Sequence, residues 1–161
     1  MTPFLALWQT ESAVTRRVLE ALRDEMLDDP VLPGGRSPRQ LAWHLVTAVG
    51  DIARRAGFPI GGPSRHDPAP GRVGEIVETY RTAAADLAEA MTGAAPECLD
   101  ETVDVYGETW SVRSTLHVLL AHEIHHRGQL ALALRAAGLA VPAIYGPSAD
   151  DPGRGWTPPV A

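Results

Sequence analysis

The segment from Ser111 to Leu139, SVRSTLHVLLAHEIHHRGQLALALRAAGL, is the best-defined helix of the chain. Ser111 is a suitable helix N-cap, and Gly138 is a suitable stop. Between them, apolar side chains recur at helical spacing at Leu116, Leu119, Leu120, Leu130 and Leu134. At 1.5 Å per residue such a helix would be ~40 Å long. The stretch therefore predicts a long helix with one side turned toward a core.

Three more stretches show helical periodicity, and Pro/Gly-rich segments separate them. The first is predicted over residues 3–27, the second from Pro38 behind the N-cap Ser37 to Gly57, and the third over residues 73–91. Before the fourth, residues 99–110 alternate around Tyr106-Gly107, which indicates either a short hairpin or an extended connection. The expected fold class is all-α, a four-helix bundle.

Length and composition favour one domain. The chain has 161 residues, of which 45% are hydrophobic, enough for one ordinary core. We place the bundle at residues 1–146 and a Pro/Gly-rich tail at residues 147–161, which prolines prevent from continuing a helix. Trp156 in this tail is a candidate for docking on the bundle.

Charge, cysteine content and hydropathy exclude several classes of protein. The net charge of −6 argues against a nucleic-acid binder, which usually carries a basic patch. Cys98 is the only cysteine and cannot form an intramolecular disulfide, which favours a cytoplasmic protein. No segment approaches the ~20 apolar residues of a membrane span, so no membrane partner is expected.

Histidines form the most distinctive pattern. His122 and His126 are four residues apart and share one face of the fourth helix, at the edge of its apolar side. His44 borders the inward side of the second helix in the same way. Three imidazoles with an open fourth position are typical of a catalytic zinc site. Imidazole also suits nickel, iron and copper, and manganese is a further alternative, so the sequence does not choose the ion.

Two other interpretations of these histidines stay open. Pairs with this spacing arise by chance in Ala/Leu-rich helices, and histidines near a core are often hydrogen-bonded packing residues. The run His122-Glu123-Ile124-His125-His126 also matches the H-E-x-x-H pattern of zinc proteases. Against a metalloprotease, strand signals are too sparse for a substrate-binding sheet, and the third ligand would lie upstream.

Three charged residues are candidates for catalytic roles. Glu123 could act as an acid or base or orient an imidazole, or it could pair with Arg127 four residues on. Arg127 could bind a substrate carboxylate or form a surface ion pair. Asp51 could border the cavity as a proton acceptor or remain an exposed helix carboxylate. His66, His117 and His125 are expected at the surface or an interface, and Cys98 is not expected to be a nucleophile.

The segment from Ser111 to Leu139, together with the following VPAIYG and the upstream SPRQLAWHLVTAVGDI, resembles the DinB/YfiT-like family of small metal-binding helical bundles. The resemblance implies an up-down-down-up four-helix bundle, often dimeric, with a three-histidine metal site at His44, His122 and His126. It covers the chain to about Gly146. The family is also similar to mycothiol-dependent maleylpyruvate isomerases and thiol S-transferases, which implies chemistry on low-molecular-weight thiols.

Two functional hypotheses follow. The first is a divalent-metal-dependent enzyme that activates a low-molecular-weight thiol for transfer to a small electrophilic substrate. The second is a non-catalytic, stress-related interaction protein in which the ion ties two helices together. The fourth coordination position distinguishes them, because a structural site is closed by a fourth protein ligand.

Overall fold

The computed structural model describes residues 2–153, and within them the chain forms four α-helices and one two-stranded hairpin. The elements are α1 (Thr2–Ala21), α2 (Pro38–Arg55), α3 (Val73–Thr92), β1 (Thr102–Val105), β2 (Glu108–Ser111) and α4 (Val112–Ala136). No helix among the described residues is both long and apolar enough to cross a membrane.

The helices run up, down, down and up, as the resemblance implied. α1 and α2 each pack against both α3 and α4. The starts of α1 and α4 meet where the Phe4 ring contacts the His117 ring, so these helices are parallel. At the other end of α1, Asp24 accepts a hydrogen bond from the backbone of Val73 at the start of α3, so α1 and α3 are antiparallel. α2 is antiparallel to α4, and these two helices carry the histidines.

The ends of α2 and α4 confirm the predicted caps. Ser37 accepts a hydrogen bond from the Gln40 backbone, while the Gln40 side chain accepts one from the Ser37 backbone, which forms a capping box. Ser111 caps α4 by accepting from the Ser114 backbone. Gly57 and Gly138 follow the helices with φ of +86° and +71°, a conformation that glycine adopts without steric cost.

The predicted end of the first helix is wrong. α1 stops at Ala21, and a short 3-10 turn at Asp24–Met26 follows. Between them Arg23 has an extended backbone, and its guanidinium donates to the carbonyl groups of Ala21 and Leu22 at the helix end. Leu27 is nevertheless buried. The apolar pattern therefore extends beyond the end of the helix, which is why the prediction placed the end too late.

Residues 102–111 form the hairpin, which settles the alternative left open by the sequence. Val103 pairs with Trp110, and the turn is Tyr106-Gly107. Both turn residues have positive φ, 55° and 89°, as a two-residue hairpin turn with the right twist requires. The Tyr106 ring contacts Arg55 of α2, with 3.8 Å from the guanidinium carbon to the ring centroid.

The chain after α4 folds back along the bundle. The Ala143 carbonyl accepts a hydrogen bond from Arg17 of α1, and Arg135 of α4 forms an ion pair with Asp150. Residues on both sides of the predicted boundary at Gly146 therefore contact the helices. Trp156 lies outside the described residues.

Candidate metal centre

Three histidine side chains converge between α2 and α4. His44 comes from α2, and His122 and His126 come from successive turns of α4. One ligand atom from each lies within 4.8 Å of the others. The Nε2 atoms of His44 and His122 are 3.0 Å apart. Two nitrogen ligands of one tetrahedral zinc ion are separated by ~3.3 Å, since each Zn–N bond is about 2.0–2.1 Å.

The histidines are held at the edge of the core, as their helical positions predicted. His126 is buried, and His44 and His122 are half-buried. Their rings contact one another edge to face, with centroids 4.4 to 4.8 Å apart. One side of the group thus faces the helices, while the other remains accessible.

Burial keeps these imidazoles neutral. It is the first cause that lowers the pKa of His44 and of His122 from 6.5 to about 4, and the neighbouring His126 adds to the effect. Burial also lowers the pKa of His126, although the hydrogen bond with Gln129 raises it. Neutral imidazoles have a nitrogen lone pair to offer, so the group is prepared for a cation at neutral pH.

Gln129 orients one of the three rings. His126 Nδ1 donates to Gln129 Oε1 at 2.7 Å, and the other end of the amide, Nε2, contacts His125 Nε2 at 3.2 Å. In this orientation the amide oxygen faces His126. The hydrogen bond places the proton of His126 on Nδ1 and leaves the Nε2 lone pair for a metal ion.

Within the described residues, this site has three protein ligands. No fourth histidine, cysteine or carboxylate within residues 2–153 joins the group. A cavity of about 360 Å³ adjoins His126, and Gln129 and Leu41 also line it. Three ligands, of which His126 borders an accessible cavity, are an arrangement that leaves a coordination position for a water or a substrate atom.

Glu123 faces the core rather than the histidines. It is fully buried, and its Oε2 accepts a hydrogen bond from the Tyr80 hydroxyl of α3 at 2.7 Å. Burial raises the pKa of Glu123 to about 7, although the Tyr80 hydrogen bond and the charge of Arg127 lower it. No described hydrogen bond joins Glu123 to an imidazole, so it is not placed as the general base that a zinc protease requires.

Both alternatives predicted for Arg127 need correction. Its side chain is only 1% exposed, so it neither faces the cavity nor forms a surface ion pair. Its guanidinium pairs with the buried Glu11 of α1 at 2.6 Å and also donates to Thr15. Tyr145, from the segment after α4, hydrogen-bonds to the same guanidinium and to Glu11. Arg127 therefore joins α1, α4 and the following segment inside the core.

Asp51 and Cys98 lie elsewhere. The Asp51 carboxylate accepts a hydrogen bond from the Tyr106 hydroxyl and forms an ion pair with Arg55, so it anchors the hairpin to α2. Cys98 is half-buried in the connection before the hairpin, and burial raises the pKa of its thiol. A thiol that is mostly protonated is a poor nucleophile.

Sequence reasoning missed two residues at the site and gave correct positions for others. Gln129 is three residues beyond His126, a spacing at which helix side chains meet, so a signal for it existed. Arg36 lines the cavity from a Pro/Gly-rich loop, which no periodicity places. His66, His117 and His125 are exposed, as predicted.

Comparison with known proteins gives consistent results. The model of the DinB family matches residues 1–156. The uncharacterized protein YrdA of Bacillus subtilis is 32% identical over 149 residues, which cover 92% of this chain and 89% of that protein.

Solved structures share the fold. A DinB-like protein from Bacillus cereus superposes with a TM-score of 0.84 at 32% identity, over 88% of this chain and 95% of that one. YfiT from Bacillus subtilis superposes with a TM-score of 0.65 at 14% identity, over 84% of this chain and 86% of that one. YfiT is described as a probable metal-dependent hydrolase with an unusual four-helix bundle topology.

Proposed function

The chain belongs to the DinB family, and from this premise we propose that it is a divalent-metal-dependent enzyme that transfers a low-molecular-weight thiol to a small electrophile. In that reaction a sulfur–carbon bond forms, the leaving group departs with its bonding electron pair, and the thiol proton passes to solvent. The observation that carries the proposal is the three-histidine group with an accessible fourth side.

The residues at the site suit a divalent transition-metal ion. Imidazole nitrogen is a ligand for zinc, nickel, iron and copper alike, and zinc is our first choice. The 3.0 Å separation of the His44 and His122 Nε2 atoms is close to what one shared ion needs. The hydrogen bond between His126 Nδ1 and Gln129 Oε1 supports the tautomer that leaves Nε2 free for the ion.

The chain's own residues support thiol activation. When bound, the ion would act as a Lewis acid that lowers the pKa of a thiol in its open position, so that a nucleophile exists at neutral pH. The histidines hold that position, and the cavity beside His126 admits the rest of the thiol or the electrophile. No protein base is required, which agrees with the placement of Glu123 against Tyr80.

Hydrolysis is the second candidate, because the neighbour YfiT is described as a probable metal-dependent hydrolase. A water in the same open position would then be the nucleophile. The non-catalytic alternative remains a third outcome, in which the ion only ties α2 to α4.

Metal content is the first test. We expect about one metal ion per chain in the purified protein without a chelating tag, and loss of that ion in His44→Ala. His66→Ala is the matched control, because His66 is exposed in a loop. A parent protein that stays metal-free after incubation with zinc, nickel, iron and manganese would refute the proposal.

Cobalt substitution then tests thiol binding apart from turnover. The Cys98→Ser variant contains no cysteine, so any thiol in the sample is the added one. A sulfur-to-cobalt charge-transfer band on adding mycothiol, bacillithiol or glutathione would therefore report thiol binding at the open position. Turnover with an electrophile should require the same thiol. Absence of both band and turnover, with ester or amide cleavage present, would select the hydrolase, and absence of every activity would select the non-catalytic protein.

A further inference from the structure

The cavity beside His126 has an apolar wall and one arginine. Val31, Leu41 and Leu132 contribute aliphatic side chains, and Arg36 contributes the only Lys, Arg or acidic side chain among the described residues that line it. Its volume of about 360 Å³ falls within the roughly 300–1,000 Å³ typical of small-molecule sites. The cavity therefore suits a small ligand that is partly apolar.

Arg36 has no partner in the described part of the chain. Its side chain is exposed, and no hydrogen bond or ion pair within residues 2–153 engages its guanidinium. Arg39, three residues on, differs in forming a two-pronged pair with Asp28. A guanidinium presents donors that match the two oxygens of a carboxylate, so Arg36 is available for an anionic ligand.

The charge of Arg36 reaches the histidine group. After burial and the neighbouring imidazoles, it is a further cause that lowers the pKa of His44 and His122, and it acts on His126 in the same direction. A divalent ion held by neutral imidazoles would add a second positive charge beside it. Two such charges repel each other, and an anion between or beside them would offset that repulsion.

We propose that Arg36 is the specificity-determining residue of a carboxylate subsite, and that the substrate bound beside the histidines is a small molecule with a carboxylate and an apolar body. This inference rests on the proposed function for the identity of the neighbouring metal site, but the Arg36 subsite can be tested without metal. The carboxylate binds Arg36, and the apolar body packs on Val31, Leu41 and Leu132.

Electrostatics gives the subsite a signature that a merely structural arginine would lack. Removing the guanidinium weakens carboxylate binding and, with no carboxylate present, strengthens metal binding, because repulsion of the cation is lost. Carboxylate and metal should also favour each other's binding in the parent protein, and by linkage the enhancement is the same in both directions.

The test compares hexanoate with 1-hexanol by titration calorimetry, on metal-free and zinc-loaded protein. We expect hexanoate to bind more tightly than hexanol, and Arg36→Gln to reduce hexanoate affinity on the order of tenfold. Arg36→Lys should restore part of it. Arg16→Gln is the matched control, because Arg16 is an exposed arginine of α1 paired with Glu20, and it should bind hexanoate as the parent does.

The outcomes separate this inference from the proposed function. If Arg36→Gln binds hexanoate as tightly as Arg16→Gln does, or the parent does not bind hexanoate at all, the carboxylate subsite is wrong, whatever the metal content. If no metal binds but hexanoate binding to metal-free protein depends on Arg36, the subsite stands and the metal proposal fails.

A second pair of probes identifies which reactant carries the carboxylate. If it is the thiol, 3-mercaptopropionate should bind the cobalt protein more tightly than 2-mercaptoethanol, and Arg36→Gln should remove the difference. If it is the electrophile, the two thiols should bind equally while hexanoate binding still depends on Arg36. Hexanoate binding that does not depend on Arg36 would overturn the proposal, whatever the two thiols show.

Discussion

Gln129 shows how one side chain prepares a ligand. Its amide oxygen accepts a hydrogen bond from His126 Nδ1, and its amide nitrogen contacts His125. Outer residues of this kind usually affect metal affinity by about 10–100-fold. We therefore expect Gln129→Ala to weaken zinc binding by about that factor without changing the fold, as measured by competition with a chromophoric chelator.

Gln9→Ala is the control for that measurement, since Gln9 is an exposed glutamine of α1. Equal zinc affinities in the two variants would show that the His126 tautomer needs no support from Gln129.

A second prediction at this scale concerns the pair of Glu11 and Arg127. The two side chains are 7% and 1% exposed, so removing one partner leaves a buried charge uncompensated. Glu11→Gln should lower the free energy of unfolding by about 3–5 kcal/mol, measured by urea denaturation. The exposed pair of Arg16 and Glu20 offers the comparison, and Glu20→Gln should cost no more than about 1 kcal/mol. Similar losses in both variants would contradict a core role for Arg127.

Single residues also mark the limit of what the sequence predicted. Helical spacing on α4 is sufficient to turn Glu123 toward the bundle, where its side chain is buried. The partners of Glu123 and Arg127 come instead from α3 and α1, at sequence separations of 43 and 116 residues. Periodicity carries no information on such contacts, and so Tyr80 and Glu11 were not anticipated.

At the scale of elements, local signals predicted α2 and α4 well and α1 less well. The capping box at Ser37 and the cap at Ser111 act over three residues, and the sequence displays them directly. The end of α1 depends on Arg23, whose extended backbone has no comparable marker. The buried Leu27 then extended the apolar pattern beyond the helix.

The cap of α2 supports the site through the helix that carries His44. Ser37→Ala removes the side-chain half of the capping box and should destabilise the protein by about 1 kcal/mol. His44 lies nearly two turns inside α2, beyond the fraying end, so the metal content should stay at the parent value. Thermal unfolding and elemental analysis together check both statements.

Ser12→Ala is the matched variant for that experiment, because Ser12 lies within α1 and its side chain donates to the Gln9 carbonyl, with no cap contact within residues 2–153. A loss in Ser12→Ala as large as in Ser37→Ala would mean that the capping box contributes nothing special.

At the scale of the whole molecule, the up-down-down-up order makes α2 and α4 antiparallel neighbours and so brings His44 to His122 and His126. Helix periodicity placed each histidine beside the core, but the helix order came from the family resemblance. Neither argument placed Arg36 at the site, because it lies in the loop between Met26 and Pro38. A metal ion at the site would connect the two helices that contribute its ligands and stabilise the folded state by mass action.

Stability of the metal-free protein should therefore depend on pH through the same histidines. In the unfolded chain they bind protons near pH 6.5, whereas in the folded protein the pKa of His44 and of His122 is about 4. Protons then favour the unfolded state, so the contribution of these groups is present above pH 6.5 and is lost as the pH falls toward 4. Glu123 acts in the opposite sense, because burial raises its pKa from 4.5 to about 7 and its stabilising contribution is lost as the pH rises through that value.

A comparison of variants separates these two effects. With a chelator present, His44→Gln should lose less stability than the parent between pH 7 and pH 4.5, because it lacks one group that resists protonation only when folded. Glu123→Gln should shift the balance the other way and lose more than the parent. Urea midpoints at the two pH values measure both differences. If His44→Gln and the parent show the same change with pH, His44 is as easily protonated in the folded protein as in the unfolded chain, and burial between α2 and α4 does not hold its imidazole neutral below pH 6.5.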